Sequence, residues 1–136
     1  MAQDKPKYYY RIEDVPLVPI TDTASTRFIA GTNALCSFIT NPPGATFPIH
    51  SHPAEQILVL LEGSEEHVCG DQKFTMKPGD VCVHPPNVPH GGFTPTGFKG
   101  CGIRTRPVKG GVFGLKLPPG DLSGLARSIP ASASIP

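Results

Sequence analysis

The residues best suited to chemistry lie in two short segments. Residues 44–63 read GATFPIHSHPAEQILVLLEG and set His50 and His52 one residue apart, with Gln56 following. Residues 77–92 read KPGDVCVHPPNVPHGG, with His90 near the end. Side chains alternate across a strand, so residues at i and i+2 face the same way. His50 and His52 are therefore expected to present imidazoles to one point. Pro53 bends the chain, and Gln56 then opens the next strand with its amide aimed at that point. The Pro-Pro-Asn-Val-Pro turn of residues 85–89 is expected to deliver His90 as the third imidazole. Three imidazoles and one oxygen donor suit a single first-row divalent ion such as Ni, Zn, Fe or Mn. A His-x-His alone arises by chance on surface strands; its combination with Gln56, Glu62-Gly63 and the Pro-rich approach to His90 makes the reading specific.

Gln56 bears on the chemistry. A carboxylate would cancel one unit of the ion's charge, whereas an amide oxygen cancels none. Such a centre is expected to act as a Lewis acid on a carbonyl, hydroxyl or enolate oxygen. Stabilising a developing enolate fits an isomerase, lyase or cyclase acting on a small oxygen-rich molecule. Two alternatives stay open: an Fe(II)-dependent dioxygenase, and a non-catalytic binder of a small ligand or metal. Glu55 competes with Gln56 for the inward position, since neighbours on a strand face opposite ways. The gap to Gly63 favours Gln56.

Three further residues are candidates for catalysis. His84 shares a face with Cys82 and could move a proton near neutral pH. Arg104 and Arg106 share a face with Gly100 and Gly102, and could hold a substrate carboxylate in bidentate fashion. His67 lies in a hairpin away from both segments and is expected at the surface. Phe38, Phe47, Phe93 and Phe98 are expected in the core, with one or two at a pocket mouth.

Many short strands must position these residues. The chain of 136 residues has 15 Gly and 17 Pro, which favours tight turns over helices. Strands are expected over 8–12 (at an edge), 26–30, 35–40, 45–52, 56–62, 65–69, 73–76, 81–84, 98–106 and 112–117. Residues 56–62 are apolar on both faces, so both should be covered, one by the barrel interior and the other by a second sheet or a second subunit. Asp121 is expected to cap a short helical turn through Arg127. The division is an N-terminal arm and edge strand (1–25), a barrel (26–117) and a Pro/Ser/Ala-rich tail (118–136). Strands at this spacing call for an all-β sandwich or barrel.

Composition narrows the class. A net charge of +1 without a basic run argues against a nucleic-acid partner. No apolar run approaches the roughly 18 residues of a membrane span. The charged start MAQDKPK has no apolar signal core. Cys36, Cys69, Cys82 and Cys101 form no CxxC pair and read as buried free thiols. A soluble cytoplasmic homodimer with a small-molecule substrate is the expectation.

The two segments resemble the motifs of the cupins, small β-barrels related to jelly rolls, also described as a double-stranded β-helix. Gly44, His50, His52, Gln56 and Gly63 match their first motif, with Gln in place of Glu. Gly79, Pro85, Asn87, His90 and Thr94 match the second, with Asn87 in place of Gly and Thr94 in place of Asn. The resemblance implies His50, His52, Gln56 and His90 as metal ligands. HSHPAEQ and PPNVPHG look most like the single-domain group that includes KdgF, which opens an unsaturated uronate ring, and small polyketide cyclases are similar. The last strand departs from that group: KGCGIRTR lacks the acid that KdgF carries upstream of its Arg.

Overall fold

A computed structural model describes residues 7–105 and the short strand Gly120–Asp121. Eleven strands run in order: β1 Val18–Pro19, β2 Ser25–Ala30, β3 Ala34–Asn41, β4 Thr46–His50, β5 Gln56–Gly63, β6 Glu65–Cys69, β7 Gln72–Met76, β8 Val81–His84, β9 His90–Phe93, β10 Phe98–Thr105 and β11 Gly120–Asp121. They form two antiparallel sheets, as the sequence predicts. The larger has the order β1-β2-β3-β10-β5-β8, with β11 also paired to β2; the smaller has the order β4-β9-β6-β7.

Period-two alternation sets the faces. On β5, Gln56, Leu58 and Leu60 are buried, while Ile57 and Leu61 are exposed. On β10, Phe98, Gly100, Gly102 and Arg104 point inward. The core joins both sheets through Leu58, Leu60, Met76, Cys82 and Phe98. Each such large side chain contributes about 1.5–3 kcal/mol by leaving water. At the barrel end, Gly63 has φ +83° and a Cβ there would lie 1.9 Å from the Gly97 carbonyl oxygen, so no side chain fits.

Some expectations change. Residues 8–11 form no strand, and a 3-10 turn follows at Ile12–Asp14. Tyr8 and Tyr9 are exposed and carry no ladder. Val18–Pro19 supplies the edge instead, pairing only with β2, where Pro19 costs no bond of a central strand. The strand expected over 45–52 ends at His50, and His52 lies beyond it. β9 (His90–Phe93) is not among the expected strands. Asp121 pairs with Ile29 in an antiparallel ladder, and the helical turn expected after it lies outside the described residues. The strand expected over 112–117 lies outside the described residues.

The outer face of the larger sheet is apolar. Ile57, Leu61, Val81, Val83 and Ile103 are exposed there, uncovered by any described residue of the chain. No helix is long and apolar enough to cross a membrane among the described residues.

Candidate metal centre

His50, His52 and His90 come together inside the barrel, and one ligand atom from each lies within 4.8 Å of the others. His50 closes β4 and pairs with His90, which opens β9. A register shift between Phe47 and His50 turns β4 at that end. His52 arrives from the bend after β4, so strand alternation alone does not place it.

The backbone fixes the tautomer of each ring. His50 Nδ1 bonds the Pro48 carbonyl at 2.7 Å, His52 Nδ1 the Ala54 carbonyl at 2.8 Å and His90 Nδ1 the Val88 carbonyl at 2.9 Å. A carbonyl only accepts, so each Nδ1 carries the proton and each Nε2 keeps its lone pair. Burial holds His50 and His52 below the usual imidazole range, and it pushes His90 down to about 4. The three rings are therefore neutral donors at neutral pH. His90 Nε2 is buried with no hydrogen-bond partner.

Gln56 joins them. Its Oε1 stands 3.2 Å from His52 Nε2. Two acceptors face each other with no proton between them, an arrangement that a cation relieves. Gly102 makes the room, because a Cβ there would fall 2.7 Å from Gln56 Nε2. Glu55 is exposed. The donor set of three imidazoles and one amide oxygen fits a divalent transition-metal ion, and the Nδ1-to-carbonyl bonds are the outer contacts that orient such ligands.

The two motifs are tied by backbone. Asn87 has φ 64°, the left-handed region, where Asn is tolerated and the family motif has Gly. Its amide donates to the His52 carbonyl at 2.8 Å. Thr94, at the motif's Asn position, donates its hydroxyl to the Ser64 carbonyl at 2.6 Å.

A second polar cluster lies beside the imidazoles. His67 is buried, not at the surface as expected, because its strand alternation turns it inward together with Glu65. Glu65 Oε1 lies 2.8 Å from His67 Nδ1, and His67 Nε2 lies 2.8 Å from His84 Nε2. The His84 ring stacks on His90 with centroids 3.8 Å apart. A carboxylate accepting from His67 Nδ1 leaves His67 Nε2 as acceptor, so His84 donates from Nε2. Its Nδ1 is then a bare acceptor, buried without a partner. Burial and the neighbouring imidazoles of His90, His67, His52 and His50 push His84 down to about 2. Gly92 leaves space for the Glu65 carboxylate, which a Cβ would approach to 2.5 Å.

Arg104 faces the interior and is buried. Burial lowers its guanidinium to about 10, so it stays a cation. With His50, Gln56, His84 and His90 it lines one cavity, whose apolar wall includes Phe47 and Phe98. Phe38 lies on the outer face and Phe93 is exposed. Arg106 lies outside the described residues.

Comparison with known proteins places this geometry. A family model described as a cupin domain matches residues 37–97. Dimethylsulfoniopropionate lyase DddQ of Ruegeria pomeroyi is 40% identical over 50 residues, which span 36% of this chain and 25% of that protein. The chain thus matches about a quarter of that relative's length. An RmlC-like cupin from Shewanella frigidimarina superposes with a TM-score of 0.69 at 20% identity, over 74% of this chain and 91% of that one. KdgF from Halomonas sp. superposes with a TM-score of 0.68 at 18% identity, over 72% and 94%. At these identities the structural likeness is one of fold.

Proposed function

From the match of residues 37–97 to a cupin domain we propose that the chain is a metal-dependent enzyme of the isomerase, lyase or cyclase type. Its substrate is a small oxygen-rich molecule with a carbonyl or carboxylate. The observation that carries this reading is the set of neutral Nε2 atoms facing one point, with His90 Nε2 unpartnered and Gln56 Oε1 set against His52 Nε2. His50, His52, Gln56 and His90 would hold a divalent ion (Ni, Zn, Fe or Mn), which would supply Lewis-acid polarisation of a substrate oxygen.

The remaining steps belong to side chains. Arg104 offers a buried cation to a substrate carboxylate, where water competes little. Phe47 and Phe98 keep the cavity wall dry. His84 Nδ1 accepts the proton removed from substrate. A charge left on His84 would sit among the other imidazoles, which its depressed pKa disfavours. The hydrogen-bond chain offers a better end point: His84 passes its Nε2 proton to His67 Nε2, and the charge comes to rest beside the Glu65 carboxylate. The name of the Ruegeria relative, a lyase of a sulfonio-carboxylate, supports elimination within this class. Arg106, two residues after Arg104 in the sequence, is proposed as its partner for the anion.

The test is turnover by protein loaded with each metal, followed by NMR, on dimethylsulfoniopropionate, an unsaturated uronate and a β-diketone. Turnover of one of them without oxygen consumption is expected. Oxygen uptake with Fe(II) would replace the reading by a dioxygenase, and saturable binding without turnover by a binder. The exposed apolar face of β5 and β8 supports a homodimer, checked by sedimentation of the same samples. The free thiols of all four cysteines support a reducing, cytoplasmic setting.

A further inference from the structure

Cys36 and Cys101 lie on the outer face of the larger sheet, away from the metal centre. β3 and β10 pair with Cys36 opposite Ile103 and Cys101 opposite Phe38, so the two cysteines are diagonal neighbours. Their inner-face neighbours Ser37, Gly100 and Gly102 are buried, whereas both cysteines are half-buried. Their sulfurs are 3.2 Å apart. Nothing in the proposed reaction uses them.

We propose that Cys36 and Cys101 form a reversible dithiol–disulfide site that a hydroperoxide oxidises. The two sulfurs share one hydrogen bond; with its proton on Cys36, Cys101 is pushed down to about 7 and Cys36 up. Cys101 is then the member of the pair more readily ionised to the nucleophilic thiolate. The Cys101 thiolate attacks one peroxide oxygen, the O–O bond breaks, and the departing oxygen takes a proton to leave as an alcohol or water. Cys101 becomes a sulfenic acid. The Cys36 sulfur then attacks the sulfenic sulfur, the S–O bond breaks, and water leaves with the Cys36 proton. Two thiols lose two electrons and two protons, and the hydroperoxide is reduced by the same two electrons.

Register explains why the bond would be reversible. Diagonal neighbours on paired strands have Cα atoms about 7–8 Å apart, whereas disulfides favour about 4.4–6.8 Å. Closing the bond draws β3 and β10 together, and a strained disulfide is more easily reduced. Cys82 provides an internal contrast: it is buried, and burial pushes its thiol up to about 12.

The test exposes the native protein to hydrogen peroxide, alkylates the remaining thiols, digests without reductant and reads the peptides by mass spectrometry. The expected product is an intramolecular Cys36–Cys101 cross-link that dithiothreitol removes. Cys36→Ser should leave Cys101 as a sulfenic acid trapped by dimedone, and Cys101→Ser should slow loss of Cys36 at least about tenfold. In the unaltered protein, iodoacetamide should modify Cys101 at least about tenfold faster than Cys82. Alkylation of both Cys36 and Cys101 after peroxide treatment, first oxidation at Cys69 or Cys82, or equal alkylation rates would overturn the proposal.

Discussion

The backbone amide of Asn87 donates to the carbonyl of His52 across 2.8 Å. That one bond joins the turn before His90 to the bend that carries His52. It requires Asn87 to sit at φ 64°. Asn87→Gly should therefore leave both thermal midpoint and metal affinity almost unchanged. Asn87→Val forces a β-branched residue into the left-handed region, at a cost of about 1–2 kcal/mol. Its melting temperature should fall and its zinc affinity, read by competition titration, should weaken. Equal behaviour of the two variants would remove the bond from the account.

Gly102 is the second lever on the site. A Cβ there would stand 2.7 Å from Gln56 Nε2, so Gly102→Ala must push the amide away from His52. Metal affinity should drop about 10–100-fold, the usual effect of disturbing a ligand's support. In a Gln56→Ala background the same change should do little, since the displaced group is gone. Additive losses in that double-mutant cycle would show that Gly102 acts through something else.

The histidine pair and Gln56 were legible because each motif puts ligand types at strand spacing beside turn residues. Glu65 and His67 obey the same i, i+2 rule, and that was the available signal. In sequence the hairpin lies away from both motifs, so a histidine there reads as a surface residue. The inward face depends on what the strand faces, and here that is the larger sheet: His67 Nε2 meets His84 Nε2 of β8 at 2.8 Å. β9 itself was hidden by glycines whose reason is tertiary. A Cβ at Gly91 would lie 2.8 Å from the Phe47 carbonyl oxygen, and one at Gly92 would strike Glu65. The edge strand expected over 8–12 failed for the opposite reason, a β-prone tyrosine run that pairs with no strand among the described residues.

Glu65→Gln and His67→Phe test the proton path. Both keep the metal ligands, so bound metal should be unchanged. Both remove the place where charge settles, so kcat should fall about 10²–10⁴-fold with KM little altered. Gly92→Ala should reproduce part of the loss by displacing the Glu65 carboxylate. Loss of metal together with activity would instead make the cluster a structural support.

Acid should destabilise the metal-free protein in a defined window. His90 is pushed from 6.5 down to about 4 and His84 to about 2, chiefly by burial. In unfolded chain both titrate near 6.5. Between 6.5 and 4 the unfolded state thus binds protons that the fold refuses. Stability therefore rises with pH through this window and levels off above it. Urea midpoints of metal-free protein should be flat above about pH 7.5 and fall steadily below about pH 6.5. A midpoint that rises on acidification would mean that these rings are charged in the fold.

The most direct test is metal content. Protein reconstituted with excess Ni, Zn, Fe or Mn and dialysed should retain one equivalent per chain of at least one metal by elemental mass spectrometry. His90→Ala and His52→Ala, still folded by circular dichroism, should retain less than about a tenth of that. No retained metal in the unaltered protein, or equal retention in the variants, would contradict a centre built from His50, His52, Gln56 and His90.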